Sequence, residues 1–278
     1  MRRLFILWIA CTLAMSMVAC VSSEPVIDPT TGTTAIPTQV TETTDNLKIT
    51  EPIQETTQLP TQETTQPPTE DLHSPLYIPE LSVEDVILYF NEVCLDAEFV
   101  NGGDPSRLQK WTEPILYQIH GTYTDEDIAV LDAFAQWLNT VEGFPGIDEA
   151  QDPAQVNLQV YFCDQQEMIS IMGDNFWGTD GAVTFWYLGD EIYDAVICYR
   201  NDIPQVVRNS VILEEIYNGL GPVQDTDLRA DSIIYSGYSE PQSLTAVDEL
   251  LLKLLYHPSM ECGMDRQACE QVIRQLYY

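Results

Sequence analysis

Two adjacent carboxylates, Glu214 and Glu215, lie toward the end of an apolar-rich stretch, and Asp225 follows beyond Gly221-Pro222. Carboxylates held close together split their pKa values and can serve as an acid and a base. Neighbouring residues on a helix point about 100° apart, which works against a proton shared between Glu214 and Glu215. With Asp225 they form an all-oxygen donor set of the kind that Ca²⁺ or Mg²⁺ takes. The structural alternative is that Glu214 and Glu215 accept hydrogen bonds from backbone or tyrosine groups and hold their helix against a sheet. The three histidines are placed elsewhere: His73 in a linker, His120 at the end of a strand, and His257 at a helix C-terminus, where it complements the dipole. Neither a GxSxG elbow nor a phosphate loop occurs. Trp177, Phe185, Trp186 and Tyr187 read as core or edge-strand packing, with the wall of a peptide groove as the second reading.

Regular elements must position these groups. Ser82-x-x-Asp85 is a capping box opening a helix with Val86, Ile87, Phe90 and Val93 on one face, stopped by Asn101-Gly102-Gly103. WTEPILYQIHG (Trp111 to Gly121) reads as extended. Thr124-x-x-Asp127 caps a second helix through Leu138, closed by Gly143 and Pro145. Val156, Leu158, Val160 and Phe162 alternate with polar residues as a half-buried strand, and a short helix is expected from Asp164. Gly181 to Leu188 and Ala195 to Arg200 are two more strands. A helix after Pro204 runs to Gly221-Pro222 and places Glu214 and Asn218 on one face. Thr245-x-x-Asp248 caps a helix ending at His257-Pro258, and a last helix starts at Asp265. The order predicts an α/β (α+β) domain with a mixed, twisted sheet.

The ends read differently. Arg2-Arg3, an apolar run from Leu4 to Leu13, and Met17-Val18-Ala19-Cys20 make residues 1–19 an expected signal peptide. Its end resembles a bacterial lipobox, which implies lipidation of Cys20 and anchoring to the extracytoplasmic face of a bacterial cell membrane. The apolar run is short against the roughly 20 residues that span a bilayer. Residues 20–75, dominated by Thr, Pro, Gln and Glu, cannot bury enough apolar surface to order themselves and are expected to form a disordered tether. Residues 76–278 make one domain of a size that supports a real core. The net charge of −33 excludes nucleic acid as a partner, because phosphate contacts need clustered Lys and Arg. Beyond Cys11 and Cys20 remain Cys94, Cys163, Cys198, Cys262 and Cys269. Cys163 with Cys198, or Cys262 with Cys269, could pair; buried free thiols are the other outcome.

Seven segments carry a resemblance to a bacterial family of exported proteins known as domain of unknown function 2927. They are RxxKWTxPI at Arg107–Ile115, NLxVYF at Asn157–Phe162, EExxxxLG at Glu214–Gly221, DTD at Asp225–Asp227, DSII at Asp231–Ile234, LTxxDxLLLxLLYxP at Leu244–Pro258, and Gly263-Met264. This resemblance implies no activity. Val211–Pro258 also resembles, more distantly, the metzincin peptidases of matrixin type. By that resemblance the three zinc-ligand positions fall on Glu214, Asn218 and Gln224, the general base on Glu215, and the Met-turn position on Ile234. Amide oxygens are poor zinc donors, so no zinc is expected and no other resident cofactor is implied, with Ca²⁺ or Mg²⁺ as the alternative. The resulting expectation is a metzincin-like envelope lipoprotein that has lost its zinc site and binds or scaffolds, its partners being the membrane and an extended peptide or envelope protein. The rival expectation is a hydrolase using a non-zinc metal or the carboxylates of Glu215 and Glu214.

Overall fold

β-Branched and aromatic runs build the sheet, and capped amphipathic segments build the helices around it. The computed structural model describes residues 74–95, 107–237 and 239–278, together with the backbone of 16–18. Cys20, the remainder of the leader, the linker up to residue 73 and the Asn101–Gly103 helix stop lie outside the described residues. In chain order the elements are β1 (Ser16–Val18), α1 (Val83–Leu95), β2 (Lys110–Trp111), β3 (Ile115–Gly121), α2 (Asp125–Leu138), β4 (Ile147–Glu149) and β5 (Leu158–Cys163). There follow α3 (Gln165–Met172), β6 (Gly181–Leu188), β7 (Glu191–Arg200), α4 (Gln205–Gly219), α5 (Ala246–Tyr256) and α6 (Arg266–Leu276).

The sheet runs β1-β6-β7-β5-β3-β4, with β2 paired to the start of β7. Strands β3, β4, β5 and β7 are mutually parallel along this order, whereas β6 is antiparallel to β7 and β1 antiparallel to β6. The molecule is therefore a mixed α/β domain. The extended segment expected from Trp111 to Gly121 divides in two, because Pro114 has no N–H to give to a ladder. Strand β7 starts at Glu191, four residues before the expected Ala195, and the three-residue β4 was not foreseen.

Side chains alternate across the sheet. One face carries Val160, Phe162, Val183, Phe185, Ile197 and Tyr199 into the main core, where α4 lies across β6 and β7. The other face carries Cys163, Ala182 and Cys198 against Met168 of α3 and Phe176. Capping boxes at Thr124, Asp164 and Thr245 fix where α2, α3 and α5 begin. Cys94, Cys163, Cys198, Cys262 and Cys269 are free thiols. Strands β5 and β7 are neighbours, yet neither the Cys163–Cys198 nor the Cys262–Cys269 pairing is present. Among the described residues no helix is long and apolar enough to cross a membrane.

Candidate functional site

The C-terminal end of α4 is held from three directions. Trp111 Nε1 donates to the Gly219 carbonyl at 2.9 Å, and the Tyr256 hydroxyl donates to the Leu220 carbonyl at 2.7 Å. The Tyr217 hydroxyl donates to the Asp248 carbonyl at 2.9 Å. The first two satisfy carbonyls that the end of α4 leaves without intrahelical partners, and the bonds from Tyr256 and Tyr217 tie α4 to α5. Lys110 works beside them: its buried ammonium donates to the carbonyls of Leu255 and Met260 at 3.0 and 2.5 Å. Burial lowers its pKa. Gly221, at φ 125°, passes so close to the chain that a Cβ there would stand 2.5 Å from the Gln109 carbonyl oxygen. Only glycine accommodates that approach.

Farther toward the N-terminus of α4 the helix meets the start of β6. Gly181 permits the contact, since a Cβ at this position would lie 2.3 Å from Val211 Cγ1 and 2.9 Å from Glu215 Oε1. The carboxyl of Glu215 thus rests against the β6 backbone. A cleft of about 100 Å³ opens here, walled by Ser210, Val211, Glu214 and Glu215 of α4, by Asp180 and Gly181, and by Asp225, Ile233 and Tyr235 of the following loop.

The loop wall is fixed by one buried carboxylate. Asp248, already the capping residue of α5, accepts from Ser232 Oγ at 2.7 Å and from the Ile233 backbone N–H at 3.3 Å. Its other bonds come from the Thr245 N–H and hydroxyl, both 2.8 Å. Tyr89 shares a 2.7 Å hydrogen bond with Ser232. Thr226 pairs in parallel with Tyr235, through Thr226 N–H to the Ile234 carbonyl and Ser236 N–H to the Thr226 carbonyl. The loop therefore presents Ile233 and Tyr235 to the cleft and turns Ile234 into the core.

Glu215 is 1% exposed, and its Oε2 has no hydrogen-bond partner. Burial pushes its pKa well above the ordinary carboxylate range, and the neighbouring Glu214 and Asp225 push it the same way. Both effects penalise the charged form, so the group is held toward its neutral acid. Asp180 is also shifted upward by burial, against the pull of the Arg200 guanidinium 3.6 Å away. The arrangement gathers four carboxyl groups around one small space, one of them enclosed without a cation.

Of the positions singled out in the sequence, the structure brings Glu214, Glu215 and Asp225 together at this cleft. Asn218 is fully buried, neither its amide N nor its O has a hydrogen-bond partner, and it does not line the cleft; nor does Gln224. A donor set of Glu214, Asn218 and Gln224 does not converge there, and two of its members are amides, so these residues do not fit a zinc ion. Among the described residues no group of three or more His, Cys, Asp or Glu side chains is placed to hold a metal ion. Glu215 Oε2 accepts no hydrogen bond, so the bonds expected to hold α4 through that oxygen are not present. Asp180 was not foreseen; it carries no motif, and only the close packing permitted by Gly181 hints at it. Phe185 is core, Trp186 and Tyr187 are half-buried, and Trp177 is exposed.

The family model described as protein of unknown function (DUF2927) matches residues 84–275, and the chain belongs to that family. No curated protein matches it.

Proposed function

We propose that this member of the DUF2927 family is a cell-envelope lipoprotein whose folded domain binds an extended peptide, without zinc proteolysis. The observation that carries the reading is the outer edge of β6. That strand is antiparallel to its inner neighbour, and a segment of the chain itself, Ser16–Val18, pairs antiparallel along its free side, with Val18 opposite Val183. An edge that accepts one extended strand presents the backbone donors and acceptors to accept another. Processing at Cys20 would remove residues 16–18 and leave that edge open.

A metzincin-like descent is part of the proposal. It is supported by the order α4, Gly221, the Ser232–Tyr235 turn and α5, and by the position of Glu215 beside an antiparallel outer strand. The donor chemistry at Glu214, Asn218 and Gln224 argues for binding without zinc-assisted hydrolysis. A lipid on Cys20 would hold the domain at the membrane.

Incubating the processed chain, beginning at Cys20, with a mixed peptide library, followed by mass spectrometry, tests the reading. Retention of intact peptides supports it. Turnover that disappears in Glu215→Gln while the fold is kept would establish a hydrolase in its place, and stoichiometric zinc after dialysis would overturn the zinc-free site. An unmodified Cys20 thiol in chain recovered from membranes would overturn the lipid anchor.

A further inference from the structure

The strand register and the cleft meet at one residue. With Val18 opposite Val183 in antiparallel pairing, the position two residues farther along an added strand lies opposite Gly181. Paired residues on adjacent strands project to the same face. The face on which a Cβ at Gly181 would meet Val211 and Glu215 is the face covered by α4. A side chain at that position of a bound strand therefore projects to the α4 face beside the cleft that Gly181 and Glu215 line.

We propose that the cleft is a specificity subsite for a primary ammonium group, the lysine side chain of an extended peptide lying along β6, with Glu215 as its buried counter-ion. The inference rests on the β6 reading above and names the chemistry that this edge selects. Three observations converge on it. The cleft wall is acidic from each side that encloses it: Glu214 from α4, Asp180 from the start of β6, and Asp225 from the loop. Glu215, 1% exposed and with an unpartnered Oε2, is a buried acceptor for which the protein supplies no donor. The volume, about 100 Å³, suits the end of one long side chain.

A metal ion is the less suitable occupant. Ca²⁺ takes six to eight oxygens in a shell, a larger donor set than the end of one side chain requires. An ammonium needs only three acceptors. Binding carries a proton with it. Glu215 faces Glu214, Asp225 and Asp180, with Tyr235 in the loop wall and Tyr199 and Cys198 of β7 behind it; Arg200 is the nearby cation and is engaged by Asp180 and Asp202. Burial, and after it the charges of Glu214 and Asp225, hold Glu215 toward its neutral form. An arriving ammonium favours the carboxylate, so Glu215 releases its proton to solvent as the ligand enters.

The test uses the processed chain, beginning at Cys20, and two labelled probes written in the observed register, Ac-Ser-Met-Val-Ala-Lys-amide and the same peptide ending in norleucine, read by fluorescence anisotropy. The lysine probe is expected to bind at least about ten-fold more tightly at pH 7, with the preference lost in Glu215→Gln and proton release seen as buffer-dependent binding heats. Equal binding of the two probes would overturn the ammonium subsite and leave the β6 edge standing. If neither binds, the edge reading falls, and n-butylammonium alone decides the subsite. Stabilisation of wild type but not of Glu215→Gln against heat would keep it; equal effects on both would end it. Displacement of the lysine probe by stoichiometric Ca²⁺ bound at Glu214 and Glu215 would overturn it in favour of a metal.

Discussion

Removing the Asp248 carboxylate should cost far more than the helix cap it belongs to. Asp248 is fully buried and receives five hydrogen bonds, from Ser232 Oγ, Ile233 N, Thr245 N, Thr245 Oγ1 and, at 3.5 Å, the Tyr89 hydroxyl. In Asp248→Ala the Ser232 and Tyr89 hydroxyls keep each other, whereas the Ile233 and Thr245 backbone N–H groups lose their acceptor. Each buried donor left without a partner costs about 1–3 kcal/mol, and the cap itself about 1 kcal/mol. Charge-assisted bonds are not additive, so the expected loss is about 3–5 kcal/mol, about 6–20 °C in Tm for a domain of this size. Thr245→Val removes the hydroxyl half of the cap but leaves the loop anchored, and should cost about 1 kcal/mol. Urea unfolding of both variants, at unchanged m-value, measures the difference. The refuting result is an Asp248→Ala loss no larger than that of Thr245→Val, because Asp248 would then only cap α5 and would not hold the cleft wall.

Three other outcomes are expected. Asp127, buried in the α2 cap, accepts from Arg208 Nε at 2.7 Å, and Asp127→Ala should lose about 3–5 kcal/mol by leaving that guanidinium uncompensated, with part recovered in a double variant that also carries Arg208→Met, read by chemical unfolding. Burial raises the Asp127 pKa, but hydrogen bonds led by the one from Arg208 outweigh it and leave it low; its stabilisation is thus complete above the unfolded value of about 3.9 and is lost as pH falls through the folded value, a slope that Asp127→Asn should remove from acid-unfolding curves. Glu215 has the opposite sign: its raised folded pKa means the unfolded chain ionises first, so stability declines as pH climbs from about 4.3 toward the folded value. Glu215→Gln should therefore equal wild type near pH 4 and exceed it at pH 8 in paired urea titrations. Gly181→Ala should cost about 1–3 kcal/mol through the Val211 contact, detected as a lower urea midpoint.

Local structure was legible where local chemistry decides it. Thr124-x-x-Asp127 and Thr245-x-x-Asp248 mark helix starts because the side chains bond their own backbone, and Gly181 to Leu188 matches its strand end for end. The start of β7 was missed because Glu191-Ile-Tyr-Asp shows no apolar alternation, its pairing with β2 being set by tertiary register. The site was half legible. Glu214 and Glu215 announce themselves as adjacent carboxylates, but i, i+4 residues differ by about 40° around a helix. On α4, buried on most sides, that rotation takes Asn218 from the cleft into the interior. The loop turns likewise, so that Asp225 rather than Gln224, and Ile233 rather than Ile234, reach the cleft.

The segments that carry the family resemblance divide by task. Lys110, Trp111, Gly221, Asp248 and Tyr256 hold carbonyls, turns and helix ends. Only Glu214, Glu215, Asp225 and Ile233 among the matched motifs line the cleft. The far end of α4 is fixed by three side-chain bonds, apart from the residues that line the cleft. On the binding reading proposed above, Glu215→Gln changes what the cleft accepts while the α4 anchors stay in place, so ligand preference and fold stability are expected to respond separately.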